Sequence, residues 1–279
     1  MTLQAEFLEL VSRVDSALDI PRVARIYVPH ERPVPEKQAD FGILTLADGS
    51  SGLFYTMLGS TGEDCRAHIK NTVLTGRPAA EIAMLYESEM EVERSLGLAA
   101  INAITAFVYR KRGYQPEFAG DSIGELNLAG GDHLGMVGYF KPLVERLKSF
   151  NVRITLLEKK TDISDLDETI RLQHDPECLN ECNKILCTAS TMLNNSLESI
   201  LSHTRKAEAM VIIGPTAGFF PDPLFRRSVT AIGGSCVVDT EQAILNLQQG
   251  SGLGNSVTKF LIKESDYPGI TCIAGLDMD

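Results

Sequence analysis

Positive charge is in short supply in this sequence: 26 Lys and Arg face 37 Asp and Glu, for a formal net charge of −11 at pH 7. Nucleic-acid binding draws on clustered Lys and Arg that displace counterions, so the balance argues against a nucleic-acid partner. It argues equally against an anionic membrane surface and fits an acidic, soluble protein. Long apolar runs are missing as well. The longest, Leu96 to Tyr109, is interrupted by Asn102 and Thr105 and falls short of the roughly 20 apolar residues that span a bilayer. The N-terminal string MTLQAEFLELVSRV carries acidic residues and a helical period, unlike a secretory signal. The cytoplasm is therefore the expected location.

Cysteine is sparse for a disulfide framework: Cys65, Cys178, Cys182, Cys187, Cys236 and Cys272 in 279 residues. There is no Gly-x-Ser-x-Gly elbow, no Walker loop and no histidine-pair zinc motif. What remains is ordinary globular composition, 44% hydrophobic and 23% charged. The length suits two compact units with sizeable cores.

Leu3, Phe7, Leu10, Val11, Val14 and Leu18 repeat at helical spacing. Val23, Ile26 and Val28 suggest a short strand before a proline-rich loop (Pro29, Pro33, Pro35). The runs Phe41–Ala47 and Leu53–Leu58, around Asp48-Gly49, read as a hairpin. Helices are expected over Glu63–Leu74, after Pro78, and over Glu89–Arg112, the last with an all-apolar middle and a basic end that suits the helix dipole. Residues 1–115 thus read as an α+β domain, 116–131 as a linker, 132–250 as a Rossmann-like parallel α/β domain and 251–279 as a C-terminal extension. In the third of these, strands are expected over His133–Gly138, Val152–Leu157, Ile185–Thr188, Ala209–Gly214 and Ser235–Val238. Helices are expected over Pro142–Phe150, Thr191–His203 and, last in the chain, Thr240–Leu247. Short apolar strands alternating with helices imply a parallel sheet, and the fold class is α/β.

Parallel sheets bind ligands beyond the carboxyl ends of their strands. That rule selects Gly138, Tyr139 and Phe140 after the first strand, Glu158 after the second, Thr188, Ser190 and Thr191 after the third, and Gly214, Pro215 and Thr216 after the fourth. Glycines, hydroxyls and free amides there suit an anion or a polar ligand. The same residues could merely turn the chain or cap helices. The dinucleotide fingerprint is absent: Gly138 stands alone, and Tyr139, Phe140 and Pro142 would crowd a pyrophosphate, so nicotinamide binding is not expected.

On the long helix, Ser95 and Asn102 share a face, with Thr105 one turn on. Buried polar groups need partners, so this stripe either bonds nearby backbone or faces a cleft between the halves. A last cluster, His174, Cys178 and Cys182, with Cys187 close by, could offer soft ligands to zinc or a similar ion. Asp175 and Pro176 would start a short helix there, but the spacing matches no zinc module and Cys187 reads as a core residue. His30, His68, His133 and His203 have no evident partners.

Four strings, Glu93–Ala103, Gly135–Phe140, Cys187–Thr191 and Val211–Thr216, together resemble a bacterial and archaeal domain-of-unknown-function family described as heavy-metal chelation proteins. The resemblance covers about Ala5 to Leu247. It implies an enolase-N-terminal-like α+β domain joined to a Rossmann-like domain, with a site in the cleft between them. Matching positions are Ser95, Asn102, Gly138, Tyr139, Phe140, Thr188, Ser190, Gly214 and Pro215. They hold no dense His, Cys or carboxylate cluster, and Thr161–Asn183 and the tail beyond Ser251 depart from the family pattern.

Three readings follow. The first is a protein that binds or processes a small anionic or metal-chelating metabolite in the cleft. The second is an enzyme using a nucleotide-type cofactor, a methyl donor or a nicotinamide, with adenosine contacts from Glu158. The third is a direct metal binder through His174, Cys178 and Cys182. The cofactor, whether a metal ion, a metal chelate or neither, stays open. So does the assembly, for which a symmetric homo-oligomer is the commonest case.

Overall fold

The structure is a computed structural model that describes all residues except 30–40, 57–65, 70–71, 119, 160, 162, 164–165 and 277–279. Cys65, His30, Pro33 and Pro35 lie outside the described residues. Of the helix expected over Glu63–Leu74, Arg66 to Ile69 are described as helical and Thr72 to Leu74 are not helical.

Helix α1 (Leu3–Ala17) buries Leu3, Phe7, Leu10, Val11 and Val14 along one face, and the Thr2 hydroxyl caps it by accepting from the Ala5 amide. Strands β1 (Val23–Tyr27), β2 (Phe41–Leu46) and β3 (Ser51–Tyr55) form an antiparallel sheet in sequence order. The β2–β3 turn is set by Gly49 at φ +91° and by Asp48, whose carboxylate accepts from the Ser50 amide. A short helix α2 (Ala79–Ala83) follows Pro78. The 22-residue helix α3 (Glu91–Arg112) is buried from Arg94 to Thr105 and ends at Gly113 in the left-handed region. It presses on β3 so closely that a Cβ on Gly52 would lie 2.1 Å from the Ala99 carbonyl oxygen.

The second sheet has eight strands: β4 (Glu117–Phe118), β5 (His133–Val137), β6 (Arg153–Leu157), β7 (Ile170–Gln173), β8 (Lys184–Thr188), β9 (Ala209–Ile213), β10 (Ala231–Val237) and β11 (Val257–Lys263). Their order is β4-β11-β10-β9-β8-β5-β6-β7. The run from β10 to β7 is parallel, whereas β11 and β4 are antiparallel additions at one edge. Helices α4 (Lys141–Lys148), α5 (Leu197–His203), α6 (Asp222–Phe225), α7 (Thr240–Gln249) and α8 (Ile270–Ala274) complete the chain.

The sheet is therefore mixed where the sequence pattern pointed to a parallel one. The stretch 116–131, expected as a linker, supplies β4 and buries Ile123 and Leu126. Residues 251–279, expected as an extension, supply β11, which pairs along the full length of β10, and α8, which follows the helix expected to be last. Strand β10 begins at Ala231, earlier than the expected Ser235, because its first residues sit between β9 and β11. The helix expected from Thr191 to His203 is split: a 3-10 turn over Ala189–Met192 precedes α5, with Asn195 at φ +56° between them.

One apolar cluster joins the two halves, running from Phe7 and Tyr86 through Leu96, Ile101 and Ile104 to Ile185, Ile212 and Phe220. A second lies on the α4 side of the large sheet around Leu134, Leu147, Leu156 and Val211. A third packs Ile43 and Leu53 of the small sheet on Ala243, Ile244 and Leu247 of α7.

Candidate functional site

In the large sheet the chain runs from β5 outward to β7, then crosses back to β8 on the other side of β5, so strand order reverses between β5 and β8. The loops there close on one another. Gly138 has φ +82°, and a Cβ on it would lie 2.8 Å from Thr188 Cγ2. The hydroxyls are spent locally: Thr188 Oγ1 accepts from the Ser190 amide and donates to Ser190 Oγ, and Thr191 donates to the Thr188 carbonyl at 2.7 Å. Glu158 accepts from the Lys159 amide, and its carbonyl lies 2.7 Å from His174 Nδ1. Tyr139 packs against the apolar cluster under α4. Ser95 donates to the Tyr55 carbonyl at 2.8 Å, so it ties α3 to β3.

Open space lies further along the sheet, beyond β9 and β10. A cavity of about 390 Å³ sits between the β2–β3 turn, α3 and the end of β10. Asn102, Tyr109, Arg110, Pro215, Gly218 and Ser235 are among its walls. This size is within the range of small-ligand sites, roughly 300–1,000 Å³.

Asn102 is a buried polar side chain among these walls. It is 3% exposed. Its Nδ2 donates to the Leu53 carbonyl at 3.0 Å and to the Thr216 carbonyl at 2.9 Å. Both partners can only accept, so chemistry fixes which way the amide faces. Its Oδ1 is then left without a partner among the described residues. The Oδ1 lies on the Gly218 side, 3.6 Å from where a Cβ on Gly218 would sit. A buried acceptor left unpaired costs about 1–3 kcal/mol. Arg110 on the same wall gives Nη2 to Asp48. Burial pushes the Tyr109 hydroxyl well above its usual range and raises the Cys236 thiol, so both are protonated at neutral pH.

A second cavity of about 410 Å³ shares Pro215, Ser235 and Phe260 with the first and opens toward Phe140, Leu143 and Arg146. Of the residues expected at the strand ends, Phe140, Gly214 and Pro215 line it, while Asn102 and Pro215 line the first. Thr216 reaches the first only through its carbonyl bond to Asn102. The sequence marked the β2–β3 turn as a hairpin and Arg110 as part of a basic helix end, but gave no sign that these residues, or Tyr109, Ser235, Lys259 and Phe260, line a cavity, since none belongs to a ligand motif.

Asp175 caps the turn Pro176–Glu181 as expected, but the turn is 3-10 rather than α-helical. Among the described residues no group of three or more His, Cys, Asp or Glu is arranged to hold a metal ion. Burial pushes the Cys182 thiol up to about 12, away from the thiolate that a soft metal needs. Of the four histidines that lacked evident partners, the three described ones have ordinary contacts: His68 with Glu93, His133 with Thr155 and His203 with Asn180.

Two sequence models sharing the description "Putative heavy-metal chelation" match residues 121–263 and 41–105. An uncharacterized protein of Methanocaldococcus jannaschii is 27% identical over 233 residues, which is 77% of this chain and 86% of that one. A DUF364 protein of unknown function from Pyrococcus horikoshii has a similar solved structure, with TM-score 0.69, 20% identity and coverage of 94% of this chain and 100% of that one. Another, from Desulfitobacterium hafniense, has TM-score 0.70 and 21% identity, covering 93% and 99%.

Proposed function

The chain belongs to the DUF364 family, which carries the description "Putative heavy-metal chelation", and on that premise we propose that it binds a small anionic or metal-chelating metabolite in the cavity around Asn102. The observation that carries this reading is that Asn102, a wall residue of a ligand-sized space, holds a buried Oδ1 without a partner among the described residues. The ligand supplies a hydroxyl, amine or amide donor to that atom. Metal-binding atoms come from the ligand rather than from the protein, a reading supported by the absence of a ligating cluster among the described residues. Direct chelation through His174, Cys178 and Cys182 has less support for the same reason. The nucleotide-cofactor reading also has less, since Thr188 closes on Gly138 where the cofactor would approach.

The finer architecture belongs to the same proposal. Residues 1–115 form an enolase-N-terminal-like unit and 132–250 the body of a Rossmann-like one. The parallel order β7-β6-β5-β8-β9-β10 supports the latter, since it repeats the arrangement of a doubly wound nucleotide-binding sheet. The partner is a small molecule rather than nucleic acid, and the protein works in the cytoplasm.

Native mass spectrometry of the purified protein, before and after denaturation, tests the proposal. A Gly218→Ala variant provides the control, because its methyl would stand 3.4–3.6 Å from Asn102, in ordinary contact and beside Oδ1. An organic mass held by the wild type and lost from Gly218→Ala is the expected result. A mass held equally by both would place the ligand elsewhere.

A further inference from the structure

The second cavity, under Phe140, calls for its own account. It lies beyond the carboxyl ends of β5, β9 and β10, where parallel sheets present ligands to solvent. Its floor and sides are apolar: Ile123, Phe140, Leu143, Ile213, Pro215 and Phe260. Side chains already fill the spaces left by its two strand glycines. A Cβ on Gly233 would collide with Ser122 Oγ at 2.3 Å, and one on Gly234 with the Phe260 ring at 2.4 Å. The glycines are therefore there to admit Ser122 and Phe260, and the ligand space is what those side chains leave.

Charge at the mouth has one sign to spare. Arg146 is held by Asp121 through two hydrogen bonds, Nη1 to Oδ1 at 2.9 Å and Nη2 to Oδ2. That pair cancels. Lys259 stands opposite Ser235 in the β10–β11 register, so both side chains rise from the same face of the sheet. Lys259 is exposed and has no ion pair among the described residues. In a chain of net charge −11, with Glu and Asp in surplus, an unpaired ammonium at the rim of an apolar cavity marks a preference for a negatively charged ligand.

We infer that the Phe140 cavity is a second binding site, distinct from the one around Asn102, for a small organic anion with an apolar, ring-sized body. The body lies between Phe140, Leu143 and Phe260, and the anionic group faces Lys259. Pro215, Ser235 and Phe260 border both spaces, while Phe140, Leu143 and Lys259 belong to this one and Asn102 and Gly218 to the other, so each site has anchoring residues of its own. The inference stands whether or not the Asn102 site binds a chelator.

Fluorescence titration with 1-anilinonaphthalene-8-sulfonate, an apolar-bodied monoanion, tests it on the full chain. Saturable binding to the wild type is expected. Leu143→Trp fills the cavity and Lys259→Glu reverses its rim charge; each weakens binding at least about fivefold. Gly218→Ala, in the other cavity, leaves the affinity unchanged. No saturable binding, undiminished binding to Lys259→Glu, or loss in Gly218→Ala overturns the inference. Should Leu143→Trp fold poorly, Lys259→Glu decides alone, since its exposed side chain carries no packing. Failure here with ligand still retained at Asn102 leaves the first site untouched, and the reverse outcome leaves the second.

Discussion

The side-chain amide of Asn102 bonds the carbonyl of Thr216 at 2.9 Å across 114 residues of sequence. The same nitrogen holds Leu53 on the small sheet. One side chain thus pins the hairpin, the long helix and the loop after β9 to each other. Along the polar stripe on α3, Ser95, Thr105 and Asn102 all bond backbone carbonyls, and Asn102 also lines the cavity.

Replacing Asn102 by Ala leaves the Leu53 and Thr216 carbonyls without their donor. The expected loss is about 3 kcal/mol in urea denaturation, since each buried unpaired carbonyl costs about 1–3 kcal/mol. Asn102→Asp should be worse than Ala, because it also buries a carboxylate against two carbonyl oxygens that can only accept. Retention of wild-type stability in Asn102→Ala would mean that these two bonds are replaced by water.

Gly52 tests the seating of α3 on the small sheet. Its added Cβ would meet the Ala99 oxygen at 2.1 Å and the Ala103 nitrogen at 2.7 Å, both backbone atoms of a buried helix. Neither can step aside, so Gly52→Ala should cost about 3 kcal/mol or more. Gly218→Ala, in ordinary contact only, should melt near the wild type; thermal unfolding of the two side by side gives the comparison.

Acid should loosen the contact between α1 and the segment after α6. Glu6 accepts from Arg226 and Arg227, and the Arg227 bond draws its pKa from 4.5 down to about 2. A depressed carboxylate stabilises the fold above its unfolded pKa, and that contribution drains away as pH falls through the folded value. The stability gap between wild type and Glu6→Gln should therefore be full at pH 6 and close between about pH 4.5 and 2. Solvent screening limits it to on the order of 1 kcal/mol. A gap that is constant down to pH 2 would contradict the pairing.

Thiol labelling should separate the cysteines by burial. In a Cys65→Ser background, Cys272 is exposed and should react at once with a disulfide reagent. Cys182 and Cys187 are buried, with thiols pushed up to about 12, and should react only after unfolding. Prompt labelling of Cys182 would reopen its candidacy as a metal ligand.

The elements with strong local signals were legible in the sequence. The period of Leu3 to Val14, the Asp48-Gly49 turn and the apolar middle of α3 each gave the right element within a few residues. Strand β7 was missed because IRLQ is short and polar at alternate positions, as an edge strand can be. Strand β11 was missed because Gly250, Gly252 and Gly254 looked like the end of a domain, and pairing with β10 is a non-local fact. At the site, a hydroxyl beside a strand end looks the same whether it caps a turn, as Thr188 does, or greets a ligand. The cavity walls at Gly49, Tyr109, Ser235 and Lys259 come together only through the tertiary fold, so no spacing could announce them.

The place of β11 also orders events during synthesis. Glu117 and Phe118 join the large sheet only by pairing with Leu261 and Phe260. They leave the ribosome well before the last strand, so their place in the sheet can form only after β11 has emerged. Both cavities use Phe260 as a wall, so neither is complete on a chain that has not yet reached β11. A message truncated before β11 therefore yields a chain in which both spaces stand open on that side.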